Sequence, residues 1–151
     1  MFTTVRYFIK TSIIFLVTGL LTGLYMSVSR SLFGKGYSAE LVSAHTHIIL
    51  LGSIMMMIMG VALWFFPRPE KDDIKYKPGL ILFVYWLLTS ATTLRFIFQV
   101  IDSFRYSNVF GIMITIFSFI QVVGIILFFY SIWGRIRSVG SHIREAKGEK
   151  F

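Results

Sequence analysis

The chain has 151 residues, 56% of them hydrophobic and 15% charged, with a net charge of +8. That composition cannot furnish the polar shell of a water-soluble domain, and the absence of cysteine excludes disulfides, thiolate metal sites and thiol catalysis. In so apolar a chain the positive charge fits basic loops that anchor membrane helices, not a nucleic-acid surface.

Crossing the hydrocarbon takes about 20 apolar residues. Four stretches meet that length, at about 10–29, 42–66, 79–101 and 109–133. The first, behind Arg6 and Lys10, also fits a signal peptide, and Ser27-Val28-Ser29 offers small residues for cleavage. It is expected to be retained as the first span. Phe33 to Tyr37 links the first span to the second. Pro67 and Pro69 stop the second, since neither can continue a hydrogen-bonded helix. Asp102 to Asn108 makes a short polar turn before the fourth. The runs are continuous and not alternating, which argues against a barrel. Eleven of the fifteen Lys and Arg residues, from Arg6 through Lys77 and into the tail, fall on one side of the membrane. Arg30, Lys35, Arg95 and Arg105 fall on or near the other. The positive-inside rule then puts both termini in the cytoplasm. The expected fold is all-α: an integral membrane up-down four-helix bundle over 1–134, multi-pass in the inner or cell membrane. A basic cytoplasmic tail follows over 135–151.

Three histidines are present. His142 sits in the basic tail and reads as solvent-exposed. His45 and His47 lie in the first turns of the second span, about 6–10 Å below its outer end. Imidazoles inside a membrane helix face protein, water or a cofactor. One reading is that both are simply hydrogen-bonded to neighbouring helices or interfacial water. The other is metal ligation. Positions i and i+2 are separated by about 200° around a helix, so the two rings point to opposite flanks and serve two sites rather than one ion. Haem iron suits this, because each face of a haem takes one imidazole and the second comes from elsewhere. Gly52, seven residues after His45, falls on nearly the same face of an ideal helix. It leaves room for a flat macrocycle, or for close packing of another helix.

Ala44-His45-Thr46-His47-Ile48, then Ile58-Met59-Gly60, then Trp64-Phe65-Phe66-Pro67 resemble the tenth helix of subunit I of the haem-copper oxidases. In that family the first histidine of the pair ligates the high-spin haem and the second the low-spin haem. An Ile-Met-Gly run and a terminal aromatic-Phe-Pro follow at similar distances. The family's subunit I is built of three arcs of four helices, and the tenth helix is the second of its arc. The resemblance therefore implies that the whole chain is similar to one arc standing alone. It implies His45 and His47 as haem ligands. The family's copper site needs three further histidines, which this chain lacks, and the cross-linked histidine–tyrosine pair has no counterpart. Oxygen reduction of the oxidase type is not expected. Haem b is favoured over haem c, because no Cys-x-x-Cys-His is present to attach one.

Arg95 and Arg105 lie near the outer end of the third span or in the turn after it, at about the depth of the histidines. Arginine suits bidentate pairing with haem propionates; interfacial snorkelling beside Asp102 is the plain alternative. Thr92, Thr93, Gln99 and Gln121 read as interhelical hydrogen-bonders. Met55-Met56-Met57 reads as packing surface, with a thioether axial ligand as the minor alternative. Trp64-Phe65-Phe66 and Tyr106 read as interfacial anchors.

The expected function is a membrane b-type cytochrome, transferring electrons near the outer face with a redox partner the sequence does not name. The alternatives are a haem with an open position that binds or reduces O2 or NO, and a cofactor-free assembly or scaffold subunit of a respiratory complex. With no third intramembrane histidine, a bis-imidazole haem draws its second ligand from another chain. A homo-oligomer with haem at the interfaces follows. Three is the favoured ring size, from the three arcs of the oxidase subunit, and a dimer is the alternative.

Overall fold

The computed structural model describes residues 2–66, 78–136 and 147–148, the side chains of Phe2 and Pro78 excepted. Their long elements are four helices: α1 Phe2–Ser31, α2 Ala39–Phe65, α3 Pro78–Phe104 and α4 Asn108–Ile132. A 3₁₀ turn, Trp133–Arg135, closes α4. All four helices are long and apolar enough to cross a membrane. The expected Pro67–Asp73 stop and His142 in the tail lie outside the described residues.

The helix ends are set by local chemistry and not by where apolarity begins. Helix α1 starts eight residues before the apolar run at 10, because charged residues at a membrane surface do not end a helix. Arg6 and Lys10 are exposed there, while Val5 and Phe8 beside them are buried. After α1, Gly34 takes a φ of +60°, which a glycine adopts without strain. Ser38 caps α2, its hydroxyl accepting from the Leu41 amide at 3.2 Å. Helix α3 is described from Pro78, a residue tolerated in the first turn of a helix. The α3–α4 turn is tied by Asp102, whose carboxylate accepts from the Ser107 amide at 2.9 Å; Ser107 then caps α4 through the Val109 amide.

Within α2, Ile48–Met55 is π-helical and begins directly after His47. A π turn bonds i to i+5 and so carries one residue more than an α turn. The residues on either side, Ala39–His47 and Met56–Phe65, are α-helical.

Neighbouring helices touch in reverse order. Ser12 of α1 donates to Met57 of α2 at 3.7 Å, while Gly19, further along α1, meets His45 near the start of α2. Between α2 and α3, Ser43 meets Gln99 and Gly52 meets Thr92. Between α3 and α4, Arg95 meets Gln121 and Leu88 meets Gly124. Helix α4 packs mainly on α3 and reaches the other two helices near its C-terminal end. There the Phe8 and Phe128 rings meet edge to face at 6.0 Å. Arg135 is 3% exposed and its Nη2 donates to the Phe66 carbonyl. Arg135, the first residue of the expected basic tail, is therefore packed against the bundle. The core gathers at this end, around Phe8, Phe15, Met59, Leu63, Val84, Tyr85 and Phe128. At the other end, the one that carries the histidines, no residue of α4 from 108 to 120 is buried. The four helices are closed at one end and open at the other.

Candidate functional site

His45 is held against α1. Its Nδ1 lies 2.9 Å from the Gly19 carbonyl oxygen. A Cβ at Gly23 would stand 2.8 Å from His45 Cε1, so only a glycine lets the ring lie on the α1 backbone. His47 turns the other way. Its Nδ1 lies 2.8 Å from the Ser43 carbonyl and 3.3 Å from the Ser43 hydroxyl, which in turn accepts from Gln99 Nε2 of α3 at 2.8 Å. The two rings thus occupy opposite flanks of α2, one toward α1 and the other beside the Ser43–Gln99 link to α3.

These contacts settle the proton positions. A carbonyl oxygen only accepts, so each Nδ1 carries the proton and donates it. In a neutral imidazole Nε2 is then a bare lone pair, the state a metal ligand requires. Neither Nε2 has a hydrogen-bond partner among the described residues, and both rings are half-buried. The donor set fits two axial positions on haem iron.

Arg95 lies level with His47. Ser43 and Gln99 are in contact, and His47 and Arg95 each lie one turn deeper on their antiparallel helices. The guanidinium is half-buried and does not simply reach for the surface: Nη1 donates to Gln121 Oε1 on α4 at 2.8 Å. Gln121 Nε2 in turn donates to Thr92 at 2.8 Å. The readings of Gln99, Gln121 and Thr92 as interhelical hydrogen-bonders match these contacts, whereas Thr93 bonds back to the Thr89 carbonyl of its own helix. Arg105 is exposed in the turn after α3, about 15 Å further along the axis than Arg95. The structure does not bring the two arginines together as a pair.

Gly52 lies where α2 meets both α1 and α3. It falls inside the π segment, so the seven-residue spacing from His45 is not that of an ideal α-helix. A Cβ at Gly52 would come 2.9 Å from Phe15 and 3.0 Å from Thr92. What this glycine accommodates is helix packing, and no space for a macrocycle remains beside it within the chain. The sequence reading passed over Gly19 and Gly23, although a G-x-x-x-G pair in an apolar helix is a legible sign of close approach. It also passed over Ser43, whose role depends on antiparallel pairing with α3.

Among the described residues no three His, Cys, Asp or Glu side chains come together as a metal-binding group. Fold and site together define a helical protein of the multi-pass membrane class. No protein-family model, curated protein or solved structure matches the chain.

Proposed function

We propose that this chain is a membrane b-type cytochrome, an electron-transfer protein related to subunit I of the haem-copper oxidases. The observation that carries the reading is the pair of Nδ1-to-carbonyl contacts, which leave both Nε2 atoms without a partner among the described residues, on opposite flanks of one helix. Haem b, when bound, supplies reversible one-electron iron chemistry. His45 and His47 would hold the group through Nε2, with the Gly19 and Ser43 carbonyls fixing the ring planes and raising ligand basicity. Arg95 offers a propionate a charged donor at the level of His47, and Arg105 offers a second at the rim. The open end of the bundle, with α4 unburied from 108 to 120, leaves apolar surface at that level. An up-down arrangement with both termini in the cytoplasm, supported by the eleven-to-four basic asymmetry, puts the site near the outer face. One chain has no further intramembrane histidine, so a second copy completes each iron; a closed ring of three uses every ligand.

The competing reading is a cofactor-free scaffold subunit, because the same two bonds also satisfy a ring nitrogen inside the membrane. A reduced-minus-oxidised optical spectrum of the purified protein decides. The expected result is a b-type spectrum that does not change with carbon monoxide, and that is lost or altered in both His45→Ala and His47→Ala. A protein without a haem band favours the scaffold, and wild-type spectra in both variants remove the ligand assignment.

A further inference from the structure

Two buried polar atoms stand one helical turn apart on α3 without a partner among the described residues: Arg95 Nε and Gln99 Oε1. One is only a donor and the other only an acceptor. Positions i and i+4 lie on the same helix face. Gln99 is 1% exposed, so bulk water does not reach it. A polar atom desolvated inside a membrane is costly unless it is paired.

A direct bond between the two would be the simplest remedy, but each side chain is drawn to a different neighbour. Arg95 is tied to α4 through Gln121, and Gln99 is tied to α2 through Ser43. The group that satisfies both atoms accepts one hydrogen bond and donates another, and it is small enough for a buried place. Water has that chemistry, and buried waters in proteins serve such otherwise unsatisfied groups.

We infer that one water molecule is bound between Arg95 and Gln99, accepting from Nε–H and donating to Oε1. It joins two separate hydrogen-bonded chains into one seam. His47, Ser43 and Gln99 form the first chain; Arg95, Gln121 and Thr92 form the second. With the water in place, a polar path runs from the His47 ring across α2 and α3 to α4, stepping one helical turn along α3 between Gln99 and Arg95. The inference stands whether or not the histidines carry haem.

The test uses full-length protein in detergent with ¹⁵N-labelled arginine. The Arg95 Nε–H resonance is assigned by its loss in Arg95→Lys. In the wild type it should show a cross-relaxation peak to water, and that peak should fall at least severalfold in Gln99→Met. No water peak in the wild type overturns the inference. An undiminished peak in Gln99→Met also overturns it, because solvent would then reach Arg95 unaided. Should Gln99→Met not fold, the wild-type peak and an O–H stretching band that moves in H₂¹⁸O decide alone; absence of the band refutes the bound water.

Discussion

Gly23 is where a single atom decides the position of a histidine. Adding one methyl there puts a carbon 2.8 Å from His45 Cε1, so the ring has to move. Gly23→Ala should therefore push the imidazole off α1, break the bond to the Gly19 carbonyl, and destabilise the fold by about 1–3 kcal/mol. Gly36→Ala is the matched control, since nothing lies within 4 Å of its added carbon. Its effect should stay within about 0.5 kcal/mol. Denaturation in mixed micelles measures both, and equal stability of the two variants would remove Gly23 as a positioning residue. At this scale the sequence was partly legible. The two intramembrane histidines announce themselves, because imidazoles are costly in lipid. Their partners do not, because the carbonyls of Gly19 and Ser43 carry no sequence signature. The packing of Arg135 is hidden for a related reason: nothing in a basic residue at the start of a basic tail shows that the end of α2 supplies the Phe66 carbonyl.

Helices were the most legible elements, since long apolar runs without alternation leave few other structures in a membrane. Their ends were less so. The charges at Arg6 and Lys10 mark where side chains reach for water, not where the backbone stops. The π segment was invisible. It is a change in hydrogen-bond register, and hydropathy holds no trace of it. Counting Gly52 from His45 on an unbroken α-helix therefore misses the register that the chain adopts between them. The extra residue leads to a prediction at this scale. Deleting Leu51 allows Ile48–Met55 to return to i-to-i+4 bonding with the flanking α-helices close to their present orientation. Deleting Ile97, in α-helical α3, turns everything beyond it by about 100° and separates Gln99 from Ser43. Gel filtration and circular dichroism should show a folded, monodisperse protein for the first deletion and not for the second. If both deletions behave alike, the π segment carries no spare residue.

The described helices are asymmetric along the bundle axis: one end is packed by the Phe8–Phe128 cluster, and the other has α4 unburied over thirteen positions from 108 to 120. In the proposed trimer, neighbouring chains and haem cover that open end. Native mass spectrometry in mild detergent should then record three chains with three haems; a monomer that keeps a six-coordinate haem would rule out the shared-ligand arrangement. The same asymmetry sets the order in which the protein comes apart. A segment with few buried contacts opens at a lower free energy than the core, as a separate cooperative unit. Amides of 108–120 should therefore exchange with deuterium sooner than those of 121–132 on the same helix, although both lie in one unbroken run of backbone bonds. Whatever assembles against the open end should slow the first group and leave the second unchanged, so protection along a single helix becomes a gauge of assembly.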